Sequence, residues 1–118
     1  MAAVGKLRIL NAQAFTGNGS GSAFSLNGKT DQFIGFLNVT AIGAGTSLVV
    51  TIEHSPDASN WFALGAFAAR TTTGANHLPQ QSFTIANSHV FPNVRATLAF
   101  TGGTTTATVT CELYFDAK

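Results

Sequence analysis

The sequence predicts an all-β fold: a two-sheet antiparallel β-sandwich, jelly-roll-like, with about eight strands in one domain over residues 1–118, of which 1–5 form an N-terminal arm. Three observations carry that expectation. Apolar and polar side chains alternate with period two along most of the chain, the spacing at which successive side chains of a strand point to opposite faces. No segment keeps a helical stripe for more than about two turns. Clusters of Gly, Pro, Asn, Asp and Ser recur roughly every 8 to 12 residues, which suits short antiparallel strands and leaves no room for the helices that join parallel ones.

Taken in order, Lys6 to Ala14 and Ser22 to Leu26 read as two shorter strands, separated by Thr16-Gly17-Asn18-Gly19-Ser20-Gly21, a loop by composition; Asn27-Gly28 then turns the chain. From Gln32 to Ile42 both faces are apolar. Phe33, Leu37 and Val39 make one face and Ile34, Phe36 and Ile42 the other, so this strand is expected to be central or to lie at an interface. Ser47 to His54 is the clearest strand, with Leu48, Val50 and Ile52 toward the core and Ser47, Thr51 and Glu53 opposite. Ser55-Pro56-Asp57-Ala58-Ser59-Asn60 is dense in turn formers and hands over to a strand from Trp61 to Ala68. Arg70 to Asn76 reads as a loop, Gln81 to Ala86 as a strand through Phe83 and Ile85, and Pro92 as a strand start or edge. Val94, Ala96, Leu98 and Phe100 alternate with Arg95, Thr97 and Ala99. Thr101-Gly102-Gly103 offers a short turn into Thr105 to Phe115, whose Ala107, Val109, Cys111, Leu113 and Phe115 face the core while Thr106, Thr108, Thr110 and Glu112 face outward. These last two strands are expected to pair as a C-terminal hairpin.

Charge is the least ordinary feature. Only 9% of residues are Asp, Glu, Lys or Arg and the formal net charge is +1, against roughly 25% charged residues in an average soluble domain. Free monomers generally stay apart by carrying mixed charge, so a neutral surface of Thr, Ser, Asn, Ala and Gly implies that much of it faces protein, in a homo-oligomer. Six Lys and Arg scattered from Lys6 to Lys118 do not make the basic patch that phosphate neutralisation requires, which argues against nucleic acid as a partner. No apolar run approaches the roughly 18 residues of a spanning helix, so no membrane partner is expected. Met1 to Lys6 lacks the basic start and apolar run of a secretory signal, and the expected place of synthesis is the cytoplasm.

A search for chemistry yields no catalytic, cofactor-binding or metal-ligating set, and the chain is read as a non-enzyme without a cofactor. The lone Cys111 cannot form an internal disulfide and shares strand parity with apolar neighbours, so it reads as a buried, inert thiol. His54, His77 and His89 have no carboxylate or thiol at ligand spacing and read as histidines at strand ends or in loops, satisfying local hydrogen bonds. Asp31, Glu53, Asp57, Glu112 and Asp116 are dispersed, unlike the paired carboxylates of a glycosidase. No serine stands in a Gly-x-Ser-x-Gly elbow, and the glycine-rich stretches lack the Lys and the helix of a phosphate cradle. Candidate interface residues are Ile34 and Phe36, from the doubly apolar strand, and Trp61. Trp61 offers a ring on which a sugar stacks in a carbohydrate-binding module, but such a residue more often packs beside a hairpin or at a subunit contact.

Val50 to Phe67, VTIEHSPDASNWFALGAF, and Phe91 to Phe115, FPNVRATLAFTGGTTTATVTCELYF, together resemble small virion proteins of tailed bacteriophages, in which a strand ending near EHSPD precedes a Trp strand and a closing VRA strand leads through a Gly/Thr turn into the last. The resemblance implies a capsid decoration or cement protein: a jelly-roll homotrimer on the outer capsid surface that clamps neighbouring subunits of the major capsid protein. A tail, fibre or head-to-tail component on the same sandwich is the nearest alternative within that class, and a carbohydrate-binding module the alternative outside it.

Overall fold

The computed structural model describes residues 5–25, 33–77 and 91–115. Within them lie strands β1 (Gly5–Phe15), β2 (Gly19–Ser20), β3 (Phe24–Ser25), β4 (Phe33–Ile42), β5 (Ser47–Ser55), β6 (Phe62–Ala66), β7 (Gly74–His77), β8 (Asn93–Thr101) and β9 (Ala107–Phe115), with no helix between them. They form two antiparallel sheets, one in the order β1-β9-β4-β7 and the other β2-β8-β5-β6, with β3 also on β8. The all-β sandwich expected from the alternation is the fold adopted.

β2 and β3 are two pieces of one course along β8. Gly19 and Ser20 stand opposite Leu98 and Thr97, Phe24 and Ser25 stand opposite Val94 and Asn93, and between them the Gly21 N–H donates to the Ala96 carbonyl at 2.9 Å. Counted as one strand, they complete a nested series. The first strand pairs with the last (β1 with β9), the second with the last but one (β2/β3 with β8), then β4 with β7 and β5 with β6. That nesting is the connectivity of a jelly roll.

The core lies between the sheets. Ile9, Leu10, Leu37, Val39, Val109, Cys111 and Leu113 line one inner face and Leu48, Val50, Ile52, Val94, Ala96 and Leu98 the other, each at most 1% exposed. Each larger aliphatic among them contributes about 1.5–3 kcal/mol by leaving water. Phe67 closes the β6 side at 2% exposed.

Local irregularities decide which residues join that core. β1 bulges between Arg8 and Leu10, so that Ile9 and Leu10 both turn inward, and again between Leu10 and Gln13, where Ala12 takes a φ of 47° and donates its N–H to Thr110 Oγ1 at 3.0 Å. β4 bulges between Val39 and Ala41. This corrects the expected outer face of that strand: the extra residue reverses the parity, Ile42 stands opposite the buried Ala107 and packs against the core, and Phe36 is left on the outer face without it.

The expected C-terminal hairpin is not formed. β8 lies between β5 and the β2/β3 course, whereas β9 lies between β1 and β4 in the other sheet. Residues 102–106 are a crossover, and they run beside a second crossover, 43–46, that carries β4 into β5. The two arches are hydrogen-bonded to each other: Gly43 N–H to the Thr106 carbonyl at 2.8 Å, Thr104 N–H to the Ala44 carbonyl at 3.1 Å, and the buried Thr46 hydroxyl to the Thr104 carbonyl. The arches approach so closely that a Cβ on Gly43 would run into the Thr104 carbonyl, and one on Gly103, whose φ is 51°, into the backbone of Ala44 and Gly45.

A second correction concerns Arg70 to Asn76. The Arg70 backbone exchanges two hydrogen bonds with Leu48, both 2.8 Å, and Gly74–His77 pairs with Phe36 to Val39 at the edge of the first sheet. The stretch is short and polar, so its strand character comes from its partners and leaves little mark in its own composition. Pro92 immediately precedes β8, where its missing N–H costs nothing. Asn27-Gly28, Gln81 to Ala86 and His89 lie outside the described residues.

Candidate interaction surfaces

On the outer face of the β1-β9-β4-β7 sheet, register brings distant ionisable residues together. Arg8 stands opposite Glu112 in the β1/β9 pair. Its Nε donates to Glu112 Oε2 at 2.7 Å, its Nη2 lies 2.6 Å from the same oxygen, and Lys6 Nζ is 3.7 Å from it. Tyr114 OH donates to Glu112 Oε1 at 2.9 Å. Covered in this way, Glu112 is only 5% exposed although it sits on an outer face. The Arg8 hydrogen bond, with the Tyr114 hydroxyl and the charges of Arg8 and Lys6 behind it, holds the Glu112 carboxyl below its ordinary range. The hydrogen bond that Tyr114 donates to Glu112 raises the Tyr114 phenol, since ionising it would remove the donor and set two anions side by side. Phe36 lies beside this cluster, half-buried, its backbone opposite Glu112 on one side and His77 on the other. The backbone of Ile34 stands opposite Tyr114.

The outer face of the second sheet carries a corresponding group. Glu53 and Arg95 face each other across β5 and β8. Arg95 Nε donates to Glu53 Oε1 at 2.8 Å and Thr97 Oγ1 donates to the same oxygen at 2.6 Å, with Ser20 Oγ 3.2 Å from Thr97 Oγ1. Trp61 comes onto this face from the β5/β6 turn and lies under the Arg95 guanidinium, 4.3 Å from ring centroid to Cζ. The turn sets that entry. Asp57 Oδ1 accepts the N–H groups of Ser59 and Asn60 at 2.9 and 2.8 Å, Asn60 Nδ2 donates to Asp57 Oδ2 at 2.7 Å, and Ala58 adopts a φ of 62°. These bonds hold the Asp57 carboxyl well below the usual carboxylate range.

Phe36 and Trp61, expected at an interface, therefore lie on opposite outer faces and do not make one surface. The Arg8–Glu112 and Glu53–Arg95 pairs were not anticipated. Parity places all four residues outward, but their separations of 104 and 42 residues hide the pairing until the register is known. Cys111 is fully buried, and burial, with the Glu112 charge adding to it, pushes its thiol up to about 12. Beside the arches, Phe15, Ile42 and Ala107 line a shallow groove of about 230 Å³ that has no ionisable side chain in its walls. Among the described residues no three His, Cys, Asp or Glu gather as a metal site, and no helix is long and apolar enough to cross a membrane. Compared with models of known protein families and with the sequences of curated proteins, the chain matches none of them.

Proposed function

We propose that the chain is a non-enzymatic structural subunit of a phage particle, a capsid decoration protein that binds the assembled shell as a homo-oligomer, in the trimeric form that the sequence resemblance implies. The observation that carries this reading is where the few charges go. Lys6, Arg8 and Glu112 are engaged with one another on one sheet, Glu53 with Arg95 on the other, and Asp57 within its own turn. Little free charge remains on the described outer faces to hold neighbours off, and the exposed positions of β1, β4 and β8 are mostly Thr, Asn, Gln and Ala. Such faces suit close packing against protein that is itself neutral. A jelly roll hosts many functions, so the fold adds support by analogy alone.

In this reading the subunit binds assembled capsid protein and not its free form, and stabilises the shell by mass action through many modest contacts acting together. The test is sedimentation of the purified protein with empty capsids of its phage, where saturable co-migration at a fixed ratio to the capsid protein is expected. Migration with tails in place of shells would move the assignment to a tail component. A light-scattering mass near 12.2 kDa at micromolar concentration, with no binding to any particle, would end it.

A further inference from the structure

We infer that His54 and Phe91 form a proton-sensitive latch at the end of the sandwich: neutral His54 holds the chain at Phe91 against the β5/β6 end, and protonated His54 lets it go. The inference stands apart from the particle role.

His54 belongs to the core face of β5, in parity with Leu48, Val50 and Ile52, and is 4% exposed. Its Nδ1 accepts the Phe91 N–H at 3.0 Å, while the Phe91 ring lies over the imidazole with centroids 4.7 Å apart. An acceptor Nδ1 means that the ring is neutral with its proton on Nε2. Phe91 continues to Phe62, 6.2 Å between centroids, and these two rings are the large hydrophobic side chains exposed among the described residues, at 38% and 52%.

Protonation acts on this contact directly. It converts Nδ1 from acceptor to donor, so that two N–H groups point at each other where one hydrogen bond stood, and it puts a charge into an apolar site. Among the described residues nothing is placed to neutralise that charge. Opposite His54 stand Phe62 on β6 and Val94 on β8, and Phe91 covers it. The ionisable neighbours Glu53 and Arg95 belong to the opposite face and bind each other; β6 has no ionisable residue; the buried residues lining the inner face of the facing sheet are apolar apart from the inert Cys111 thiol. Burial accordingly holds the imidazole below its ordinary 6.5. Because the folded value is depressed, the contact is complete above 6.5 and weakens as the pH falls toward and through the folded value. A Phe91 released in this way uncovers the imidazole and the side of Phe62 and leaves the Val50 and Leu98 core in place.

The test is amide hydrogen exchange of the full chain, as protection factors corrected for intrinsic rates, alongside NMR titration of the His54 ring. The Phe91 amide is expected to lose protection about tenfold, the equivalent of one hydrogen bond, with the same midpoint as His54 and below 6.5, while Val50 and Leu98 stay protected. His54→Asn keeps an acceptor near the Nδ1 position without a titrating ring, and its Phe91 protection should be flat with pH. Constant Phe91 protection in the wild-type chain while His54 titrates would overturn the latch, as would a parallel loss at Val50 and Leu98. The wild-type titration decides the matter even if the variant does not fold.

Discussion

Arg95 lays its guanidinium 4.3 Å from the centre of the Trp61 ring while its Nε holds Glu53 at 2.8 Å. One face of the only tryptophan is thus covered by a side chain of the same subunit, and a sugar approaching that face would first have to displace an ion-paired arginine. The contact also ties the β5/β6 turn to the centre of its sheet.

Trp61→Ala and Arg95→Ala should each lower stability by about 1 kcal/mol, and the double variant should cost less than the sum by about 0.5–1 kcal/mol. Urea unfolding of the three variants measures this. Full additivity would show that the stacking is energetically idle.

Glu112 governs part of the acid response. Its folded carboxyl titrates below the ordinary 4.5, so its stabilising effect is complete above that value and is lost as the pH falls below it through the folded value. Glu112→Gln should destabilise the protein at pH 7 by about 1–3 kcal/mol, because Arg8 and Lys6 lose their counter-charge, and should flatten the fall in stability below pH 4.5. Asp57, also depressed, supplies a share of what remains, which Asp57→Asn removes. Denaturant midpoints at a series of pH values follow both.

At the arches, Gly103→Ala should destabilise by about 1–3 kcal/mol, since it combines an unfavourable positive φ with a clash against the neighbouring crossover. Thermal unfolding reads the effect. A neutral result would mean that the two crossovers separate at little cost.

Cys111 should resist iodoacetamide in the native protein at pH 8 and react on unfolding, because its thiol is buried and raised to about 12. Mass spectrometry of labelled samples reports this directly. Leu37→Ala, beside it across the β4/β9 pair, should cost about 2–5 kcal/mol in the same well-packed layer.

Much of this was legible in the residues themselves. Leu48, Val50 and Ile52, and Val109, Cys111 and Leu113, face inward as their alternation required, because a half-buried strand must segregate its side chains. Ser55 to Asn60 turns where it should, because Asp57 can accept its own downstream N–H groups. For Ile42 the alternation points to the wrong face. A single extra residue in β4 reverses parity, and a bulge is set by the partner strand and leaves no mark in the bulged strand's composition.

By itself, then, the sequence determined the strand class, the inward set and the scarcity of charge, since these follow from local periodicity and from counting. Only the tertiary structure decided which strands are neighbours. It put β8 and β9 in different sheets, brought Arg8 to Glu112 across the chain's two ends, parted Phe36 from Trp61 and laid Phe91 on His54. Alternation tells a strand which side is apolar but not which sheet completes it; that choice rests on the nested pairing of first strand with last, a property of the whole chain that no single segment contains.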